Sequence, residues 1–418
     1  MALFDGGKEH SLSPAKSIKE TILSESNMSS ITYERLDHST SEIRLLRFLH
    51  SSDGQVRCHL IKHSLENGPE LRYSALSYVW GDPNVTKDIL VNGKPFAATT
   101  NLVAALEVLS NVPKASSYVW IDAICINQAD MSERNHQVQK MVSIYKNAVK
   151  VLAWLGPEQN HSTEVIAIMK HIVKEIELSP DAGVVEVFEK PAPDHLLKAR
   201  GLETSGETLL SFALPRKEDI PHLLSQRDFW KRIWILQELV LARRVTFMCG
   251  YATFWETDIT QIGNWLATHP TRTIPSGIEW AKWLDFEVGF NNAFRVPMQS
   301  LTLAVGIQNV FEAKKPDAWT LFESALRLRA TDPRDQVYSL LGLAEIGIEA
   351  DYSKSTEAVY LELAAVMLER APLDGWFRYT GILIKNSMAT LPSWVVDWDT
   401  LSREGSWGRH PKGGRSQV

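Results

Sequence analysis

The stretch YVWIDAICINQADMSERNHQVQKMVSIYKNAVKVLAWLG, residues 118–156, decides the fold class. It opens on Tyr118-Val119-Trp120-Ile121, a short unbroken apolar run of the kind a strand covered on both faces requires. Asp122 ends the run, and a polar loop, Asn127-Gln128-Ala129-Asp130, follows. Asp130 and Glu133 have the spacing of a capping box, which predicts a helix from there to about Ala148. Val138, Met141, Ile144 and Tyr145 form the apolar stripe of that helix. Residues 149–155 are a second apolar strand, closed by Gly156-Pro157. Strand, helix and strand within about 40 residues make a βαβ unit, which demands a parallel pair of strands.

Upstream, residues 43–49, 56–61 and 72–79 carry strand patterns. Two short runs, 89–91 and 96–99, flank Asn92-Gly93, a strong hairpin signal, and 102–109 predicts a helix. Downstream, 158–218 loses clear periodicity and reads as a variable insertion. Regular structure returns as a helix from Phe229 to about Arg243 and a strand at 245–249, with helical patterns at 319–329, 336–343 and 356–370. The expected organisation is a disordered leader over 1–30, rich in Ser, Lys and Glu, an α/β domain over 31–250, and a mostly helical extension over 251–418. The polar last residues, Gly-Gly-Arg-Ser-Gln-Val, read as a tail.

Composition narrows the function classes. With 44% hydrophobic and 22% charged residues the chain has ordinary globular balance, and a net charge of -6 gives no basic footprint for nucleic acid. The three cysteines, Cys58, Cys125 and Cys249, are too few and too scattered for a disulfide framework or a paired zinc site. Neither a signal peptide nor an apolar run approaching the ~18 residues of a membrane span is evident, so the expected location is cytoplasmic. Most of the 14 tryptophans lie in apolar runs and are expected in the core. Walker loops, HExxH and GxSxG are absent, which leaves NTPase, zinc-protease and α/β-hydrolase chemistry without support.

Four segments, in order, resemble the fungal heterokaryon-incompatibility (HET) domain family: YSALSYVWGD (73–82), the 118–156 stretch, RDFWKRIWILQELVLA (227–242) and TDPRDQVYSLLGLA (331–344). LPSWVVDW (391–398) matches a segment common downstream of such domains. The resemblance implies a flavodoxin/TIR-like doubly wound, mainly parallel α/β sheet with an added mostly helical C-terminal region. It also implies a part in fungal self/non-self recognition and programmed cell death, with incompatibility or death-signalling proteins as partners and self-association by analogy with TIR domains.

Glu238 is the most informative residue, because only it and Gln237 are polar in Ile233–Ala242, and an unpartnered buried carboxylate is costly. Trp234 lies one helical turn before it, and WILQEL resembles the tryptophan-containing helix of TIR domains, whose glutamate serves NAD cleavage. A carboxylate there would stabilise the oxocarbenium character that develops as the nicotinamide–ribose bond breaks. On this reading NAD is substrate and no cofactor or metal is needed. The substrate-binding candidates are Ser77, Trp80, Gly81 and Asp82 at one strand end, Asp122 at another, then Asn127, Gln128, Arg134 and Trp234. Each also has a structural reading: a Gly-Asp-Pro turn, a loop or helix cap, an ion-paired arginine, and for Glu238 a pair with Arg232, Arg243 or Arg244. The favoured function is a death effector that cleaves NAD or a related nucleotide; the alternative is a non-catalytic signalling or assembly module, and a related domain recruited to secondary metabolism is a third. A pocket shared by Glu238, Asp122 and the 77–82 loop favours catalysis, whereas an arginine sealing Glu238 favours the module.

Overall fold

The computed structural model describes residues 31–404 except 38, 67–70, 113–117, 202–206, 270–273, 277, 314–316, 371–375, 377–378 and 381–389. The expected leader and tail lie outside the described residues. Strands β1 (Glu42–Leu49), β2 (Arg57–Ser64), β3 (Tyr73–Tyr78), β4 (Thr86–Val91), β5 (Lys94–Thr99), β6 (Tyr118–Trp120), β7 (Val151–Gly156), β8 (Val245–Cys249) and β9 (Ala252–Trp255) build one sheet in the order β5-β4-β2-β1-β6-β3-β7-β8-β9.

The centre of the sheet, β6-β3-β7-β8, is parallel throughout, as the βαβ reading requires. Around it the pairing of β1 with β2 and β6, β4 with β5, and β8 with β9 is antiparallel. The sheet is therefore mixed, which corrects the mainly parallel expectation. The reason is local: β1–β2 and β8–β9 are sequential neighbours joined by short connections, and only antiparallel strands accept such links. Within the parallel block β3 comes first in the chain, with β6 on one side and β7 on the other. The winding direction thus reverses at the β3/β7 boundary.

Every residue of β3, β7 and β8 is buried, because helices cover both faces. Leu76, Tyr78, Leu152 and Trp154 pack with Leu102, Val103 and Leu106 of the helix Thr100–Asn111. On the opposite face Tyr73, Ala75, Val151 and Ala153 meet Met141, Ile144 and Tyr145 of the helix Met131–Asn147. Trp120, Trp154 and Trp230 are fully buried, whereas Trp80 is 44% exposed.

The 158–218 region adds to the core. Its helix Ser162–Leu178 places Val165, Ile168, Met169 and Ile172 in the main core and packs on β9 and the helix Glu256–Thr268. The sheet also runs on to Trp255, so the expected boundary at 250 divides the β8–β9 hairpin. Beyond it a 34-residue helix, Trp280–Ala313, adds Trp283, Phe286 and Phe290 against Phe188. Gly342 fastens the C-terminal region to the sheet domain. A Cβ there would stand 2.0 Å from a Val142 methyl and 2.5 Å from Gln237 Nε2, so only glycine allows that approach.

The helix expected at 229–243 is broken. A 3-10 turn, Asp228–Lys231, is followed by Arg232 in extended conformation (φ −74°, ψ 135°) and then the helix Ile235–Val240. The break has a long-range cause: Ile233 N–H donates to Arg329 O (2.9 Å) and Arg329 N–H to Lys231 O (2.6 Å), a strand-like bridge that outcompetes helix propensity.

Candidate functional site

Glu238 is 1% exposed on the short helix Ile235–Val240. The extended backbone at Arg232 turns that side chain back toward it. Arg232 Nη1 donates to Glu238 Oε2 at 3.2 Å and Nη2 to Oε1 at 3.3 Å, a two-point pair. The Ser77 hydroxyl, fully buried at the end of β3, donates to the same Oε2. Of the three arginines with which Glu238 was expected to pair, Arg232 is the partner; Arg243 donates instead to Lys146 O at 3.1 Å.

Asp122 follows β6 and opens the single helical turn Asp122–Cys125. Its carboxylate accepts the Trp80 indole N–H (2.8 Å) and the Ala123 N–H (2.7 Å). Burial raises its pKa above the ordinary carboxylate value, with Glu238 adding to the rise, while the bond from Trp80 and the Arg232 charge oppose it. Burial first, and the charges of Glu238 and Asp122 next, lift the Tyr145 phenol well above 10. The cluster is two carboxylates and one guanidinium, with the buried Tyr145 beside them, at the carboxyl ends of parallel strands.

The structure thus brings together Ser77, Trp80, Asp122 and Glu238, with Gln128 donating to Asp122 O at 2.9 Å. It also seals Glu238. Both carboxylate oxygens are held by Arg232 and Ser77, and the residue has almost no surface at which a substrate would meet it. In this conformation Glu238 is one half of a buried ion pair with Arg232, the structural reading the sequence left open for it.

The other expected residues lie elsewhere or serve the backbone. Gly81 holds φ +82°, a conformation that favours glycine. Asp82 accepts the Asn84 N–H at 2.9 Å in a local turn. Asn127 receives the Ala129 N–H on its side chain and gives its own N–H to Glu133. Arg134 lies over the Tyr352 ring (3.6 Å) and pairs with Asp332 (3.7 Å), facing the C-terminal segment. The Trp234 indole donates to Asp335 at 3.0 Å. Asp130 caps Ser132 and Glu133 as expected, yet the Glu133 side chain leaves the capping box for Arg44.

Asp335 gives a pH prediction. Burial lifts its pKa to about 6, against the favourable bonds from Tyr352 and Trp234. The folded value exceeds the ordinary 3.8, so the folded protein holds this proton more tightly than the unfolded chain does. The resulting stability is complete below about pH 4 and is lost as pH rises through about 6, by roughly 3 kcal/mol. Denaturant unfolding from pH 4 to 7 is expected to show this fall in the wild type and a flatter profile in Asp335→Asn. Parallel profiles would contradict it.

Sequence reasoning missed the Arg44–Glu133 pair, and it read Tyr145 only as part of its helix's apolar stripe. An arginine inside the apolar strand Ile43–Leu46 was the available signal for the first.

With this geometry in place, comparison with known proteins shows what the chain is similar to. Residues 73–238, from β3 to Glu238, match the family described as Heterokaryon incompatibility protein (HET). The chain is also similar to Heterokaryon incompatibility protein 6, OR allele, of Neurospora crassa, at 25% identity over 436 residues, covering 92% of this chain and 62% of that relative. It therefore spans less than two thirds of the relative's length. No solved structure matches the chain. No helix among the described residues is long and apolar enough to cross a membrane.

Proposed function

We propose that this chain acts in fungal heterokaryon incompatibility, in the self/non-self response that ends in programmed cell death, and that its HET domain works there as a signalling or assembly module. The similarity to the incompatibility protein of Neurospora crassa supports the setting. The state of Glu238 carries the choice of mode. Its carboxylate is consumed by Arg232 and Ser77 in a water-poor interior, where a charge is kept for what it holds in place.

A second reading, cleavage of NAD or a related nucleotide at the nicotinamide–ribose bond, keeps one observation in its favour. Ser77, Trp80, Asp122 and Glu238 converge at strand ends, and the parallel order β6-β3-β7-β8 is that of the first four strands of a flavodoxin- or TIR-like sheet. This chemistry requires Arg232 to release Glu238.

The double substitution Arg232→Met with Glu238→Leu separates the two, since it removes the carboxylate without stranding a charge. Expressed in a fungal host in which the wild type kills, the folded double variant is expected to kill as well. Loss of killing at equal abundance would transfer the argument to catalysis.

A further inference from the structure

A second feature lies at the β3/β7 boundary, on the crevice where the winding of the sheet reverses. It has a volume of about 410 Å³ and is bounded by Gly81 beyond β3, Gly156 at the end of β7, and Gln226 and Arg227 from the segment preceding the 3-10 turn. Ligands of open α/β sheets bind in such crevices, at the carboxyl ends of the strands on either side of the reversal.

Arg227 is the distinctive group. Its guanidinium crosses the end of β7, where a Cβ at Gly156 would stand 2.9 Å from Nη1; Gly156 sits at φ +120° beside a register shift in the β7–β8 ladder. The contacts of Arg227 are weak: Nη1 reaches Pro157 O at 3.4 Å and Nη2 reaches Cys249 Sγ at 3.3 Å. Among the described residues no carboxylate pairs with it. The nearby acids are committed, Glu158 to the Thr163 N–H at 3.1 Å and Asp228 to Lys231 at 2.7 Å. A half-buried arginine without a counter-ion, at the wall of a crevice, is the donor arrangement that takes a phosphate in two-point fashion.

The rim adds to this. Asn160 lines the crevice and, with His161, holds a left-handed backbone (φ +51° each). The remaining non-glycine example among the described residues, Asn92, has the Asn-Gly hairpin to explain it. Strain of that kind collects at binding sites. Gln159, Asn160 and Gln226 offer exposed amides to a sugar or base.

We infer that the crevice is a nucleotide site in which Arg227 binds the phosphates of a nucleoside diphosphate and the amide rim holds the nucleoside. The volume falls in the lower part of the ~300–1,000 Å³ range of small-molecule sites, more than a bare phosphate requires. The site holds whether or not Glu238 ever acts on a substrate, so its fate and that of NAD cleavage are read separately.

The test is calorimetric titration of the full chain with ADP, alongside adenosine and pyrophosphate, at fixed moderate salt. ADP is expected to bind at one saturable site and adenosine far more weakly. Arg227→Gln is expected to weaken ADP at least tenfold with an unchanged unfolding midpoint. Gln226→Trp, which fills the mouth from an exposed position, is expected to do the same without touching the guanidinium. Pyrophosphate binding as tight as ADP would overturn the nucleoside half of the assignment. No saturable ADP binding, or equal affinity in wild type and both variants, would overturn the site.

Discussion

Arg232→Met is expected to lower the unfolding free energy by roughly 3–5 kcal/mol, the cost of stranding a buried charge. The variant leaves the Glu238 carboxylate with Ser77 and the neutral Tyr145 phenol but no cation, in a position 1% exposed and with the second carboxylate, Asp122, in the same cluster. Removing both charges restores solvation balance, so Arg232→Met with Glu238→Leu is expected to recover most of the loss. Denaturant midpoints followed by circular dichroism give both numbers. Unchanged midpoints in the single variant, or losses that simply add in the double one, would mean that the pair does not hold the strand ends together.

Arg44→Met is expected to be at least as damaging. Arg44 and Glu133 have side chains only 2% and 4% exposed, less than the 16% of Arg232. Arg44 donates to both Glu133 oxygens, at 2.6 and 3.0 Å, and to Cys125 O at 3.0 Å, while Glu133 also accepts the Asn127 N–H at 2.7 Å. One guanidinium thereby ties β1 to the helix Met131–Asn147 and to the loop that follows Asp122. The expected loss is again about 3–5 kcal/mol, and the untied loop gives faster amide hydrogen exchange at Asn127 and Ala129. Wild-type exchange rates there, with an unshifted midpoint, would show that the loop stands without the pair.

The parts legible in the sequence are those decided by near neighbours. The apolar run ending at Ile121, the Asp130 cap and the strand closed by Gly156 marked out β6, the Met131–Asn147 helix and β7. The Asn92-Gly93 hairpin followed from turn chemistry alone. What escaped depends on contacts far apart in the chain. The helix through Arg232 is interrupted by Arg329, nearly a hundred residues later, and Arg44 finds Glu133 at similar separation. Trp234, one turn from Glu238, turns instead to Asp335. The site was legible to the same degree: polarity within an apolar helix marked Glu238 and named Arg232 among three partners. Whether the pair was open or sealed depended on one extended residue whose cause lies outside the motif.

We propose that Glu238 is a structural ion-pair residue and not the centre of an NAD-cleaving site. The direct measurement is nicotinamide release from NAD by concentrated purified protein, wild type beside Glu238→Gln, with folding of both followed by circular dichroism. No release above the protein-free rate is expected from either, and a lower unfolding midpoint is expected for Glu238→Gln. Release by the wild type that disappears in a folded Glu238→Gln protein would contradict it.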